Sequence, residues 1–549
     1  MDFVFKLFWP RRPRRHYWLE KKSSRRDKVL PTSVTGHHGL RPDQNSTTEE
    51  RLTMLSKARL ELSVLGTALV MGILADALLR AVPWGLNLLI WMAALSAAIT
   101  FHARWREETL SGGGQWLLVV VALFALGLAW HDSPALKILS LLAALMALSL
   151  VMLRAQGGRV RLAGLVEHAL GAAVAGLNAA FGLLPVLFGE AEWKKLLGGR
   201  WSQRGMAVVR GVLFALPCLL IFGGLFMGAD AVFDNIVRKT FHVNFQQVFT
   251  HFFVAAFFAW CVGGYLRGML WGKEISVIEE KRLPCVSLGI IEVAVALGAL
   301  DLLFLAFVLV QVRYFFGGSA LVQATTGLTY AEYARRGFFE LVAVVALLLP
   351  LLLLMHWLIA RSGPEGERVF RVLAGAQILL LFVIMASAFQ RMRLYQAEYG
   401  LTEQRLYPTA FMGWLAVVFL WFATTVLSGR RERFAFGAMV AGFLLIIVLQ
   451  ALNPDALIAR TNLARAKAGR SFDALYATRL SADAVPELVA ALPNLNPQDR
   501  CTVASGVLKR WANLQASDWR VWNWSRARAS QVLHENEASL KAMQCASKN

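Results

Sequence analysis

Residues 338–359 read FFELVAVVALLLPLLLLMHWLI, one carboxylate at the start and one histidine near the end of an otherwise apolar run. As a helix that run spans the ~30 Å of hydrocarbon in a bilayer, which takes about 20 residues. Working outward, comparable runs stand at 62–81, 84–103, 116–130, 134–153, 206–228, 249–270, 286–312, 370–390, 408–428 and 434–452. The pattern predicts an all-α, polytopic helical membrane protein with about eleven transmembrane helices and a C-terminal soluble helical tail. The run at 116–130 is short for a crossing. Composition agrees: 57% hydrophobic residues, 17% charged residues and a mean hydropathy of +0.50, against about 25% charged in a soluble domain. No signal peptide is expected, because the first long apolar run follows a polar segment.

The chain divides into five parts by composition. Residues 1–59 form a basic tail expected to be disordered, 60–155 a four-helix membrane segment, 156–205 an interfacial or re-entrant segment with a loop, 206–452 a seven-helix membrane core, and 453–549 a helical tail. Residues 163–188 are apolar but carry Glu167, His168 and Asn178, with basic residues on both sides, and are read as not crossing. With the N-terminus inside, the loops at 104–114, 154–205, 271–285, 360–371 and 429–433 hold 18 Lys and Arg, and the opposite loops 9. That asymmetry predicts a cytoplasmic N-terminus, and an odd number of spans puts residues 453–549 outside.

The net charge of +21 is therefore read through its placement, not as a nucleic-acid signal. Arg11, Arg12, Arg14, Arg15, Lys21, Lys22, Arg25, Arg26 and Lys28 crowd the start, where they would attract anionic lipids of the bilayer at about 1 kcal/mol each. A protein or envelope partner would meet the C-terminal tail. Five cysteines show no zinc spacing, so no metal and no cofactor is expected. Cys501 and Cys545, both in the tail, would pair in an oxidising compartment or stand as separate thiols. Trp511, Trp519, Trp522 and Trp524 would build a small tail core or an interfacial belt, with the core favoured.

The polar, motif-like residues gather at the outer helix ends: Asp230, Arg313, Glu332, Arg335, Arg336, Glu340, Arg393, Glu398, Glu403 and Arg405. Thr329 and Glu332 have the spacing of a capping box, and Glu332, Arg336 and Glu340 form one helical stripe. These residues suit interfacial anchoring, or a polar pocket in which Arg335, Arg393 or Arg405 meets an anion. Gln311, Arg313 and Tyr314 before Gly327-Leu328-Thr329 echo Gln390, Arg393 and Tyr395 before Gly400-Leu401-Thr402, as a duplicated helical hairpin would. Within the spans, Asp301 and Glu292 are costly carboxylates, and His356 lies at a depth where it could pair with Glu292. Pro350 frees the carbonyl of Ala346 near the depth of Asp301, where a protonated Asp301 bonded to a neighbouring helix is expected ahead of a proton or cation relay. No phosphate loop, zincin or nucleophile-elbow motif is present, so enzymatic activity is undecided.

The run Tyr330-Ala331-Glu332-Tyr333-Ala334-Arg335-Arg336-Gly337-Phe338-Phe339-Glu340-Leu341, with Phe307-Val308, Gln311, Tyr314 and Phe316-Gly317-Gly318, resembles a group of bacterial multi-pass inner-membrane proteins catalogued only as a domain of unknown function. Tyr399-Gly400-Leu401-Thr402-Glu403, Arg405-Leu406-Tyr407, Asn453 and Ala459-Arg460-Thr461-Asn462 are similar to the same family. The likeness covers roughly residues 60–495 and is strongest after 206. It implies no activity, and it leads us to expect an amide or apolar residue where this chain has Asp301. Three readings follow: a transport, binding or envelope-assembly protein whose polar site is periplasmic; a membrane enzyme using Asp230, Glu332, Glu398 or Glu403 on a lipid-linked or envelope substrate; and a sensor or scaffold.

Overall fold

A computed structural model describes residues 44–105, 114–156, 160–162, 164–185, 208, 211, 215, 218–219, 221–230, 245–271, 289–326, 338–359, 363–511 and 518–545, without side chains at 44–58, 245–246 and 312–326. No strand occurs among them. The unit from Met54 to Asn549 holds the bundle and the tail; of the unit Met1–Thr53 only helical residues from Gln44 are described.

The apolar helices are α1 (Gln44–Leu79), α2 (Leu86–Trp105), α3 (Gln115–Trp130), α4 (Pro134–Ala155), α5 (Leu165–Phe181), α6 (Phe245–Trp271), α7 (Ile290–Thr326), α8 (Phe338–Ile359), α9 (Gly363–Tyr399), α10 (Glu403–Thr425) and α11 (Phe434–Leu452). Nine of the described helices are long and apolar enough to cross a membrane, while α3 and α5 are shorter. The expected span at 206–228 lies partly outside the described residues, although 221–229 are helical. The tail folds into α12 (Pro454–Lys467), α13 (Ala474–Ala477), α14 (Val485–Ala491), α15 (Pro497–Trp511), α16 (Trp524–Glu535) and α17 (Glu537–Ala542).

Three apolar cores result. The first joins α1–α6, around Phe124, Ile99, Leu117, Leu150 and Leu266. The second joins α7–α10, around Phe370, Phe419 and Phe422. Helix α11 borders both, with Phe436, Met439 and Phe443 on the first and Phe434 in the second. The third lies wholly in or beside the tail. Between apolar helices in lipid, close packing replaces the hydrophobic drive, so small residues mark the tightest approaches. Gly72 of α1 meets Ala255 and Ala259 of α6, and Gly264 and Gly268 of α6 meet Asn178 of α5. The Trp260 indole donates to the Ala180 carbonyl (2.7 Å), and Gly171 meets Leu153. Helix α5 therefore packs on the second half of α6 and the last turn of α4.

In the tail, Trp511 is buried as expected, but Trp519, Trp522 and Trp524 are exposed. The reason is their attachment. The Leu86 N–H donates to the Trp522 carbonyl (2.8 Å), and Ser525 Oγ donates to the Trp130 carbonyl (2.9 Å), so these indoles flank the helix ends where Trp84 and Trp130 are also exposed. Such a position, at the edge of an apolar bundle, suits tryptophan.

A Cβ at Gly264 collides with backbone carbonyls of α5, whereas Gly66 faces open space. Gly264→Ala should lower stability by about 1–3 kcal/mol, while Gly66→Ala should leave it unchanged or raise it slightly. Thermal unfolding of the purified variants in detergent checks this; equal melting of the two would refute the packing of α5 on α6.

Candidate functional site at the tail-covered end of the bundle

A helix leaving the bilayer carries unpaired backbone groups at its end: carbonyls if it finishes there, N–H groups if it begins. The tail supplies partners for these groups at three hairpin turns. Between α3 and α4, the Asn523 amide donates to the carbonyls of Leu128 (3.2 Å) and His131 (3.0 Å), and Ser525 serves Trp130. At the start of α4, the N–H groups of Asp132 (2.7 Å) and Ser133 (3.1 Å) donate to one carboxylate oxygen of Asp483. An anion at a helix N-terminus is favoured by the dipole and the free donors together. Here the anion comes from a segment 350 residues away.

Asp483 has further donors. His131 Nδ1 lies 2.9 Å from its other oxygen, with the ring stacked on Trp130, and Ser481 Oγ (3.0 Å) and Asn453 Nδ2 (3.2 Å) complete the shell, while Ser525 Oγ (2.5 Å) has one proton to give, either here or to the Trp130 carbonyl. Burial alone would push this carboxyl up. The hydrogen bonds from His131 and Ser525, the His131 charge and the Asp132 N–H outweigh burial and hold it below the usual carboxylate range.

At the turn between α9 and α10, the Asn462 amide pairs with both backbone groups of Leu401, each at 2.8 Å. Arg465 Nη2 donates to the last carbonyls of α9, Ala397 (3.0 Å) and Glu398 (2.7 Å). The two family-like stretches around Tyr399–Tyr407 and Asn453–Asn462 thus meet in space. At the turn between α1 and α2, Arg526 reaches the Pro83 carbonyl (3.3 Å) and sits 3.7 Å from Asp132.

Asn453 redirects the chain from α11 into the tail. It adopts a left-handed conformation (φ 50°) and caps α12 through Ala456; asparagine is among the few residues that tolerate that conformation. Asp455 follows, fully buried. It accepts the Ser481 N–H (3.1 Å) on one oxygen, while the other has no partner. Burial first, then the nearby charges of Glu403 and Asp483, push this carboxyl up to about 6, against the pull of Ser481. Asp455 and Asp483 therefore share one cluster with opposite shifts. The donors decide which keeps its charge.

The residues read from the sequence are distributed as follows. Glu403, half-buried, opens α10 beside Asp455, and its N–H donates to the Tyr476 hydroxyl (3.0 Å). Arg405 lies over the Tyr395 ring (4.1 Å to its centre) and donates to the Tyr399 carbonyl (2.9 Å) and to that of Gly400. It caps α9 rather than facing open solution. Glu398 pairs with Arg470 at 3.4 Å, both exposed, an arrangement that contributes little. Arg393, Glu340, Asp230 and Glu292 are exposed. No hydrogen bond or ion pair joins Glu292 to His356, whose ring instead packs on Phe370 at 5.2 Å. Asp301 lies within the second core. The side chains of Arg313, Glu332, Arg335 and Arg336, and the capping box at Thr329, lie outside the described residues. Sequence reasoning missed His131, Asp132, Ser133, Asp483, Asn523 and Ser525. Only Ser133 before Pro134 carried a local signal, that of a helix start. Asp76, which sequence reasoning placed near an interface, accepts from His251 (2.5 Å) and lies 3.8 Å from Arg80, between α1 and α6. No group of three or more His, Cys, Asp or Glu suited to a metal occurs among the described residues.

Two outcomes are expected. Asp483→Ala strands several buried donors and should lower stability by about 3–5 kcal/mol. Asp455 binds its proton more tightly when folded, so its contribution is full at low pH and is lost as pH rises through about 6. Asp455→Asn should therefore gain on the parent chain between about pH 4 and pH 7, by up to about 3 kcal/mol. Calorimetry across pH checks both; a difference that is flat with pH would refute the assignment.

No curated protein and no solved structure matches the chain. One family model does, over residues 118–491, a stretch that begins in α3, ends with α14, and includes His131, Asp455 and Asp483 but not Asn523 or Ser525. The chain belongs to the family described as "Domain of unknown function (DUF4153)".

Proposed function

We propose that this chain is a multi-pass bacterial inner-membrane protein with a cytoplasmic N-terminus and a periplasmic C-terminal domain, acting in transport, binding or envelope assembly at the tail-covered end. The observation that carries this reading is the Asp483 cluster. A folded domain joined through buried donors to hairpin turns of the membrane bundle gives a contact on the tail a mechanical route to the spans. A domain tethered only by α11 would lack that route. The loops at the opposite end are the arginine- and lysine-rich ones, including Arg430, Arg431 and Arg433, which favours a cytoplasmic position for them.

The pairing of Cys501 with Cys545 supports the same orientation. Their Cα atoms are 4.8 Å apart and the sulfurs are bonded, and disulfides persist in oxidising compartments. An enzymatic reading has less support: Asp455, whose carboxyl is pushed up to about 6 by burial, is sealed from solution. The basic start of the chain would hold anionic lipid, and a protein or envelope component is the partner expected for the tail.

A version with Cys218, Cys261 and Cys285 replaced by serine should show no maleimide-reactive thiol in intact cells or after denaturation until a reductant is added. Single cysteines at 280 and 365 should resist impermeant reagents from outside. Free thiols at Cys501 and Cys545, or labelling at 280, would overturn the orientation. On the chain-entropy account, closing the 44-residue separation contributes about 4 kcal/mol, so reduction should also lower the melting temperature of the tail.

A further inference from the structure

The second core contains a polar pair that no hairpin turn uses. Gln311 of α7 accepts hydrogen bonds from Ser387 (3.0 Å) and Arg391 (2.6 Å) of α9. With that contact fixed, only a parallel arrangement lays the apolar stretch Ile290–Gln311 beside the apolar residues 372–390. An antiparallel one would set it against the polar end of α9. Inward positions on α7 include Leu297, Asp301, Phe304, Val308 and Gln311; among the inward positions of α9, which also include Ile378, Met385 and Ser387, one row runs Ala374, Gln377, Leu381, Ile384, Ala388 and Arg391. Both step by alternating threes and fours, the spacing of a coiled-coil seam. The separations of 76 and 80 from Gln311 to Ser387 and Arg391 set Asp301 between the levels of Gln377 and Leu381. In an ideal seam a knob at that level meets a hole bounded by Gln377, Leu380, Leu381 and Ile384.

Gln377 is fully buried, and neither its amide oxygen nor its amide nitrogen has a partner. Both carboxyl oxygens of Asp301 are likewise buried and unpartnered. Unsatisfied polar groups are rare in native interiors, and each calls for an explanation. Two of them in adjacent layers of one seam have a common one. Helix α8 brings a third group to that depth. Ala346 stands 13 residues before the end of α8 and Gln377 stands 14 residues after the start of α9, the next described helix. Pro350 leaves the Ala346 carbonyl without its helical donor.

We propose that Asp301 and Gln377 form a proton-binding site within the membrane-spanning bundle. A proton on the Asp301 carboxylate removes its charge and makes it a donor to the Gln377 amide oxygen, leaving the Gln377 amide nitrogen free to donate to the Ala346 carbonyl. Release returns the carboxylate and breaks the chain of bonds across the three helices. An alkali cation suits the site less well, because such an ion needs a shell of oxygens and the hole is otherwise lined by leucine and isoleucine. Among the described residues of the helices in the second core, no other titratable side chain stands at that depth: none occurs on α7 between Glu292 and Arg313 besides Asp301, on α8 between Glu340 and His356, on α9 between Arg371 and Arg391, or on α10 beyond Tyr407. The inference rests on the seam alone and stands whichever way the tail faces.

Infrared difference spectra of the full-length protein in nanodiscs, recorded as pH is stepped, test it. A protonated-carboxyl band should titrate reversibly in the parent chain and vanish in Asp301→Asn. In Gln377→Leu its midpoint should move by about one pH unit or more, tenfold in proton affinity. The midpoint should not respond to exchange of potassium for sodium. A band unchanged in Asp301→Asn, or a Gln377→Leu midpoint equal to the parent's, would overturn the site; a sodium-dependent midpoint would replace the proton by a metal cation. The Gln377→Leu comparison decides the matter even if Asp301→Asn fails to fold.

Discussion

Where an apolar helix leaves the bilayer, its last backbone groups still require hydrogen bonds, and in this protein the C-terminal domain supplies many of them. The carboxylate of Asp483 serves the start of α4, Asn523 and Ser525 serve the end of α3, Asn462 and Arg465 serve the α9–α10 turn, and Arg526 serves the α1–α2 turn. Water normally does this work at a membrane surface. Replacing it with side chains from one folded domain converts three separate turns into a single rigid end. It also explains the position of the exposed tryptophans, which follow from the attachment of residues 519–526 to those turns.

The chemistry of that end depends on donor count. Asp455 and Asp483 are both buried and lie near each other, yet one is pushed up to about 6 and the other is held low. Asp483 receives two backbone N–H groups and side-chain donors from His131, Ser481 and Asn453, with the one hydroxyl proton of Ser525 also in reach; Asp455 receives one N–H. The same burial therefore yields a fixed anion at one position and a titrating acid at the other. The seam between α7 and α9 carries a different polarity, deep among leucines, with its own unsatisfied pair. The two places are built on different cores and answer to different perturbations.

Much of the fold was legible from residue type and spacing. Runs such as 338–359 declare their helices, and α8 occupies those very residues. Helix α5 was legible as an anomaly through Asn178, although its seat against Gly264 and Gly268 was not. For the tail tryptophans the favoured core reading holds for Trp511 and not for Trp519, Trp522 or Trp524, because hydrophobicity alone does not distinguish a core from the rim of an apolar bundle. The candidate site was half legible. Tyr399–Tyr407 and Asn453–Asn462 were singled out as motifs, and Glu403 and Arg405 do stand at the tail-covered end. Asp483 and His131 were invisible, since each is an ordinary residue in a turn until the other is brought beside it from 352 positions away. Asp301 was conspicuous as a carboxylate in a span, but its relation to Gln377 required the register that Gln311 sets.

Hydrogen exchange of the intact protein in nanodiscs, comparing the parent chain with Asp483→Ala, tests the capping of the helix ends most directly. If the tail holds the turns, amides near residues 131–137 and 523–527 should lose protection together with those around 481–484, across three segments far apart in the chain. Loss confined to residues 481–484, with the α3–α4 turn still protected, would contradict the account.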